Sequence, residues 1–133
     1  MMLMLLLPVL AHADPAATVR GYFDALGKND FPRALSLTAG EAQLRTAHMV
    51  GTLKQQAAAA KARVELKVKK VEVLPSPPPG ADGTVPVVVQ FDIDVVGKKW
   101  IFSRVARKLA GRAQFYVAAA EPSRIVAIEG RIE

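Results

Sequence analysis

The sequence contains no cysteine and only two histidines among its 133 residues, and 6% of its residues are aromatic. The missing thiols exclude disulfide bonds, thiolate zinc sites, cysteine nucleophiles and a cysteine-linked lipid. No glycine-rich phosphate-binding loop is present. His48 has no carboxylate partner at motif spacing, which argues against a metal site and a nucleophilic triad. We therefore expect neither a cofactor nor a metal ion.

The composition is that of one folded domain with an excess of positive charge. Apolar residues make up 51% of the chain, and 18 Lys and Arg against 12 Asp and Glu give a net charge of +6. Cations without any acid fall between positions 98 and 112: Lys98, Lys99, Arg104, Arg107, Lys108 and Arg112. Such a surface suits an anionic envelope component, although lysines also protect strand edges from mispairing. The few aromatic residues do not favour nucleic-acid binding.

The N-terminal segment has the pattern of a secretory signal. Residues 1–10 read MMLMLLLPVL, and Ala11-His12-Ala13 places small residues where a signal peptidase reads them. Ten apolar residues span about 15 Å as a helix, roughly half the thickness of a bilayer core. We therefore expect residues 1–13 to be a signal peptide and residues 14–133 to form an exported domain, periplasmic or secreted.

The first part of this domain is predicted to contain three helices. Asp14 and Pro15 suit the start of the first helix, whose apolar residues recur at helical spacing until Gly27. Asp30 can cap a short second helix. The run Thr38-Ala39-Gly40-Glu41 has the spacing of a capping box for a third helix ending near Ala62.

Alternating apolar residues then predict an antiparallel sheet of about five strands. The first strand starts at Arg63, and its change of parity indicates a bulge near Lys69-Lys70. Gly97-Lys98 is predicted to be a hairpin turn, and a further turn is expected at Ala110-Gly111-Arg112. The third strand is expected at residues 99–109, and the fourth and fifth at residues 113–120 and 124–128. The expected fold class is α+β, with three helices packed on a curved, cone-like sheet.

Short motifs support this layout by resemblance. The segment Val19 to Asp30 reads VRGYFDALGKND, and Ala34 to Leu37 reads ALSL. These motifs and the element order resemble the nuclear transport factor 2-like (cystatin-like) superfamily. That resemblance implies a sheet curled around the helices, with a ligand or the chemistry at its open end. The chain departs from the enzymes of the superfamily, because the Asp base expected soon after the second helix is absent.

Four residues are candidates for ligand binding: Tyr22, Trp100, Arg104 and Tyr116. With a two-residue turn, Arg104 lies opposite Phe91 on the apolar face, where it could bind a carboxylate or phosphate. A three-residue turn would instead direct it outward. Asp92 and Asp94 share the polar face of their strand and are expected to be a solvated pair.

These observations predict a non-catalytic binding or accessory domain that holds a small apolar or amphipathic ligand. One alternative is a lyase or isomerase of the ketosteroid isomerase or dehydratase kind. A second alternative is a basic surface that binds an anionic envelope component. A homodimer through the outer face of the sheet is compatible with each of these functions.

Overall fold

The described part of the chain comprises residues 14–79, 83–100, 102–120 and 123–132 in a computed structural model. The segment predicted to be a signal peptide, residues 1–13, lies outside the described residues. Among those that are described, no helix is both long and apolar enough to cross a membrane.

Three helices precede an antiparallel sheet, which confirms the α+β class. The helices are α1 (Pro15–Gly27), α2 (Phe31–Ser36) and α3 (Gly40–Ala60). The strands are β1 (Arg63–Leu74), β2 (Thr84–Lys99), β3 (Phe102–Ala118) and β4 (Ile125–Ile132). They pair in the order β1-β2-β3-β4 to form a curved, open sheet.

The first two helices start at the predicted caps, whereas the third does not use a capping box. The Asp14 carboxylate accepts a hydrogen bond from the Ala17 amide, and Asp30 does the same for Arg33. Helix α3 follows Ala39, and no side chain caps it. The Thr38 hydroxyl instead donates to the Leu35 carbonyl. The predicted capping box is wrong because the hydroxyl is already used at the end of α2.

The bulge in β1 is confirmed, but the predicted division of the later strands is wrong. The β1–β2 register shifts between Val68 and Lys70. The expected turn at residues 110–112 is absent, because Gly111 pairs with Phe91 inside a continuous β3. The predicted third and fourth strands are therefore one strand, and the described sheet has four strands.

The β2–β3 hairpin turns three residues later than expected. β2 continues through Gly97 to Lys99, which pairs with Phe102. Phe91 pairs with Gly111 and not with Arg104. The local turn preference of Gly97 is thus overridden by the longer pairing of the two strands.

The core lies between α1 and the inner face of the sheet, which is the face covered by the helices. Phe23 of α1 packs against Phe91 and Phe115, with ring centroids 5.8 and 5.5 Å apart. The inner face of β2 supplies a row of buried residues: Val87, Val89, Phe91, Ile93 and Val95. This row has the period-2 spacing of a strand that buries one face.

Both edges of the sheet are hydrogen-bonded to the helical layer. At the β1 edge, the Asn29 side chain accepts from the Leu66 amide at 2.9 Å and donates to its carbonyl at 3.3 Å. Asn29 has φ +55°, a conformation that asparagine tolerates better than most residues. At the β4 edge, Ile125 receives a bond from Ala39 and donates one to Leu37, each 2.8 Å long.

Gly130 of β4 is predicted to be essential for the close approach of β4 to β3. A Cβ at this position would lie 2.7 Å from the Cβ and 2.8 Å from the Cα of Ala113. Gly130→Ala should lower the free energy of unfolding by about 1–3 kcal/mol, because backbone must move to relieve this overlap. Urea unfolding measures the change.

Gly51→Ala is the matched control. Apart from the adjoining residues and the backbone of α3 itself, no atom of the described residues lies within 4 Å of a Cβ at Gly51, and alanine favours a helix over glycine by about 1 kcal/mol. This substitution should stabilise the protein. Equal effects of the two substitutions would contradict the close approach at Gly130.

Candidate functional site

An apolar cavity of about 350 Å³ lies between α1, α3 and the inner face of the sheet. We call it the inner cavity. Its apolar lining is supplied by Phe23, Leu26, Met49, Phe91, Ile93, Leu109, Ala113, Phe115 and Ile128. The volume is at the lower end of the range for pockets that bind small molecules.

The outer face of the sheet carries a wider depression of about 1010 Å³. Its lining is mixed in charge and includes Lys70, Asp92, Arg112 and Glu129. Although this depression is larger, the inner cavity is the better candidate for a small apolar ligand. Both the helices and the sheet line the inner cavity, which is the less open of the two, and its lining is mainly hydrocarbon.

Tyr22 lines the inner cavity, and its hydroxyl is 2.8 Å from the Thr46 hydroxyl. Both residues are buried. Burial raises the pKa of the Tyr22 phenol above its ordinary value, and the hydrogen bond to Thr46 partly offsets the rise. Since the folded pKa is the higher one, the stability linked to the neutral phenol is present below about pH 10. That stability is lost as the pH rises through the folded pKa.

Arg45, Arg107 and Arg112 all contribute to the lining of the cavity, and all three are exposed. Arg112 pairs with Gln90 on the outer parity of β2 and also lines the outer depression, so Arg107 and Arg45 are the better candidates for positive charge where the cavity meets solvent. Arg107 pairs with the buried Val95, which places it on the inner side of β3. Arg45 forms an ion pair with Glu41 on α3. Among the described residues, Arg107 has no carboxylate within ion-pair distance.

Arg104 and Trp100 are not brought to the inner cavity. Arg104 pairs with Gly97 near the end of the hairpin and is exposed. Trp100 is 91% exposed beyond the end of β2. The expectation that Arg104 lies opposite Phe91 is wrong, because it rested on a turn three residues too early. Arg104 lies opposite Gly97, which alternates onto the same face as Val95, so it is on the inner side of the sheet but outside the lining of the inner cavity.

Tyr116 belongs to the outer face of the sheet. Its hydroxyl accepts a hydrogen bond from the Gln114 amide at 3.1 Å and donates to Glu129 at 3.2 Å. Of the four predicted ligand-binding residues, the structure therefore places only Tyr22 at the inner cavity.

Two residues at the inner cavity, Arg107 and Thr46, were not predicted from the sequence as ligand-binding residues. Counting back in steps of two from Phe115 reaches Arg107 on the same face, and Thr46 lies one helical turn before Val50.

Asp94 differs from the expected solvated pair. It is 3% exposed, whereas Asp92 is partly exposed. One carboxylate oxygen of Asp94 is 3.7 Å from the Lys69 ammonium, and the other has no hydrogen-bond partner among the described residues. In the register, Asp94 lies between Lys67 of β1 and Lys108 of β3. β2 lies between β1 and β3 in the sheet, so Asp94 has a neighbouring strand on each side.

His48 is exposed on α3. Within the described ranges, no group of three or more His, Asp or Glu side chains could hold a metal ion.

Comparisons with protein-family models, with curated proteins and with solved structures found no match. The fold and the inner cavity therefore describe an α+β protein with a partly open apolar cavity between its helices and its sheet and with arginines in the cavity lining.

The buried hydroxyl pair is predicted to couple α1 to α3. Thr46→Val leaves the Tyr22 hydroxyl without its partner and should lower the free energy of unfolding by about 1–3 kcal/mol. Adding Tyr22→Phe removes the orphaned hydroxyl, so the double variant should be less destabilised than the two single effects predict together. Denaturant unfolding of all four proteins measures the coupling, and strict additivity would contradict it.

Proposed function

We propose that the protein binds a small amphipathic molecule with an acidic head group in the inner cavity. The observation that carries this proposal is an apolar cavity of about 350 Å³ with Arg107 and Arg45 at its opening. The hydrocarbon part of the ligand would contact Phe91, Phe115 and their neighbours. Arg107 would bind the acidic group, since a guanidinium and a carboxylate form two parallel hydrogen bonds.

The chemistry of the lining supports binding more than acid–base catalysis. Among the described residues that line the inner cavity, none is Asp, Glu or His. The Tyr22 phenol has a raised pKa and already hydrogen-bonds to Thr46, so it is a weak candidate for a general base. An isomerase or lyase of the ketosteroid isomerase or dehydratase kind remains the alternative that an activity assay would test.

We also propose membership of the nuclear transport factor 2-like superfamily. Three helices followed by a curved antiparallel sheet support it, as do the motifs in α1 and α2. In such proteins the space between helices and sheet is the expected ligand site. The position of the inner cavity between the helices and the sheet supports this proposal.

Arg107→Gln tests the acidic-head-group proposal. The fluorescent probe 1-anilinonaphthalene-8-sulfonate reports on the cavity, and dodecanoate and dodecanol serve as competitors of equal chain length. The substitution should weaken dodecanoate binding about fivefold, because a partly exposed charge-assisted hydrogen bond contributes about 1 kcal/mol. Competition by dodecanol should hardly change.

Arg104→Gln is the matched control, because it removes the same charge from the hairpin and leaves the cavity lining intact. A second variant, Leu109→Trp, should fill the cavity and abolish probe binding while cooperative thermal unfolding is retained. Equal losses in Arg104→Gln and Arg107→Gln would contradict the assignment of Arg107. Unchanged probe binding in Leu109→Trp would place the ligand elsewhere.

We further propose that the domain is exported after removal of residues 1–13. The apolar run of residues 1–10 and the small residues Ala11 and Ala13 support this proposal. Asp14, which caps α1, and every later residue would remain in the mature protein.

Expression from Met1 in a secreting host, followed by intact-mass measurement, tests the cleavage. The expected product begins at Asp14 and is found outside the cytoplasm. Ala13→Leu should block processing, since the residue preceding the cleavage site must be small. An uncleaved wild-type chain retained in the cytoplasm would contradict the proposal.

A further inference from the structure

The tip of the β2–β3 hairpin presents aromatic side chains to solvent. Trp100 is 91% exposed and Phe102 is 70% exposed. Val105, three residues further along β3, is 46% exposed. Scattered apolar side chains are normal on a protein surface, but two aromatic residues at one tip indicate a binding contact.

Trp100 adopts a backbone conformation at the hairpin tip that is unfavourable for tryptophan. Trp100 has φ +58°, a left-handed conformation that costs a residue other than glycine about 1–2 kcal/mol. The tight turn between the paired residues Lys99 and Phe102 would favour asparagine or glycine. Tryptophan therefore contributes nothing to the turn itself, and strain of this kind points to a function for the side chain.

Positive charge surrounds the tip. Beside Trp100, between the end of α3 and the end of β2, an open groove of about 480 Å³ contains Lys61, Arg63, Lys98 and Lys99 and, among its described lining residues, no acid. Glu65 forms ion pairs with two of these cations, since Lys98 lies 2.9 Å and Arg63 2.6 Å from its carboxylate, and its single negative charge offsets one of their two positive charges. Lys61 and Lys99 have no ion pair among the described residues, and Arg104 adds a further exposed charge.

We propose that this hairpin tip docks on a bilayer that contains anionic phospholipid. Trp100 and Phe102 would enter the interfacial region, where amphipathic aromatic rings are favoured. Lys61, Lys99 and Arg104 would contact the phosphate-bearing head groups. Each cation near an anionic membrane surface contributes about 1 kcal/mol.

The size of the apolar tip favours a lipid surface over a partner protein. Two aromatic side chains bury about 150–250 Å² each, whereas a standard protein interface needs about 800 Å² from each partner. A bilayer interface requires no complementary shape. A hairpin tip with exposed aromatic side chains and nearby cations therefore suits a bilayer. This proposal does not depend on the inner cavity.

The intrinsic fluorescence of the protein tests this proposal directly, because Trp100 is the single tryptophan of the sequence. Vesicles of phosphatidylcholine with phosphatidylglycerol should shift its emission to shorter wavelength, and brominated acyl chains should quench it. Vesicles of phosphatidylcholine alone should do neither. Absence of a shift with the anionic vesicles would overturn the proposal.

Variants separate the apolar and the electrostatic contributions. Phe102→Ser should weaken vesicle binding about tenfold, because it removes one inserted ring. Leu44→Ser is its control, since Leu44 is 75% exposed on α3.

The electrostatic contribution is tested at Lys99. Lys99→Gln should weaken vesicle binding about fivefold, whereas Arg20→Gln, which removes an exposed cation from α1, should have little effect. Trp100→Ser, measured by vesicle flotation, should abolish stable binding. Equal effects in variants and controls would overturn the proposal.

Two other occupants of the tip would also be detected. If heparin produced the same emission shift as the anionic vesicles, the shift would report binding to negative charge alone. It would then no longer indicate insertion of Trp100 into lipid. If the emission of the free protein were already at short wavelength and moved on dilution, a second copy of the chain would cover Trp100. Either outcome would overturn the proposal.

Discussion

The fold depends on the hydrogen bonds that join both edges of the sheet to the helical layer. Asn29 satisfies the amide and the carbonyl of Leu66 on β1, and the backbone at Leu37 and Ala39 does the same for Ile125 on β4. An exposed sheet edge leaves such groups available for unwanted pairing. Held at both edges, the sheet must curve across α1. The space that this curvature leaves beneath β2 and β3 is the inner cavity.

The sequence predicted those features that depend on a few neighbouring residues. The caps Asp14 and Asp30 and the bulge after Val68 all follow from local chemistry or from a change of side-chain parity. The hairpin turn was not predictable in this way. Gly97 is a favourable turn residue, yet pairing continues for two further residues beyond it, Lys98 with Ser103 and Lys99 with Phe102. The total pairing of two long strands outweighs a local preference that is worth about 1 kcal/mol.

The same error explains why the site was only partly predictable. Tyr22 was found because its place on the apolar stripe of α1 does not depend on strand pairing. Arg104 was misplaced and Arg107 was missed, because one shift of the hairpin moves every residue of β3 relative to β2. Asp94 shows a second limit. Its alternation with Ile93 and Val95 correctly indicates the outer face, but its burial depends on the tertiary surroundings of β2, which sequence periodicity does not describe.

A second bulge separates the two proposed binding regions of the hairpin. The β2–β3 register shifts between Val95 and Val96, so Val95 pairs with Arg107 and Val96 pairs with Val105. Neighbouring residues of β2 point to opposite faces, and therefore Val105 and Arg107 do so as well, although they are two residues apart. A regular strand would have placed both on one face. The extra residue keeps Arg107 at the inner cavity and lets the strand bend before it reaches Phe102. Lys99 pairs with Phe102, which lies about 17 Å from Arg107 along the strand, whereas Arg104 lies only about 10 Å from it. The Debye length is about 8 Å at physiological ionic strength. The charge of Lys99 is therefore largely screened from Arg107 and that of Arg104 only partly, so substitutions of Arg107 and Lys99 separate ligand binding from membrane docking best.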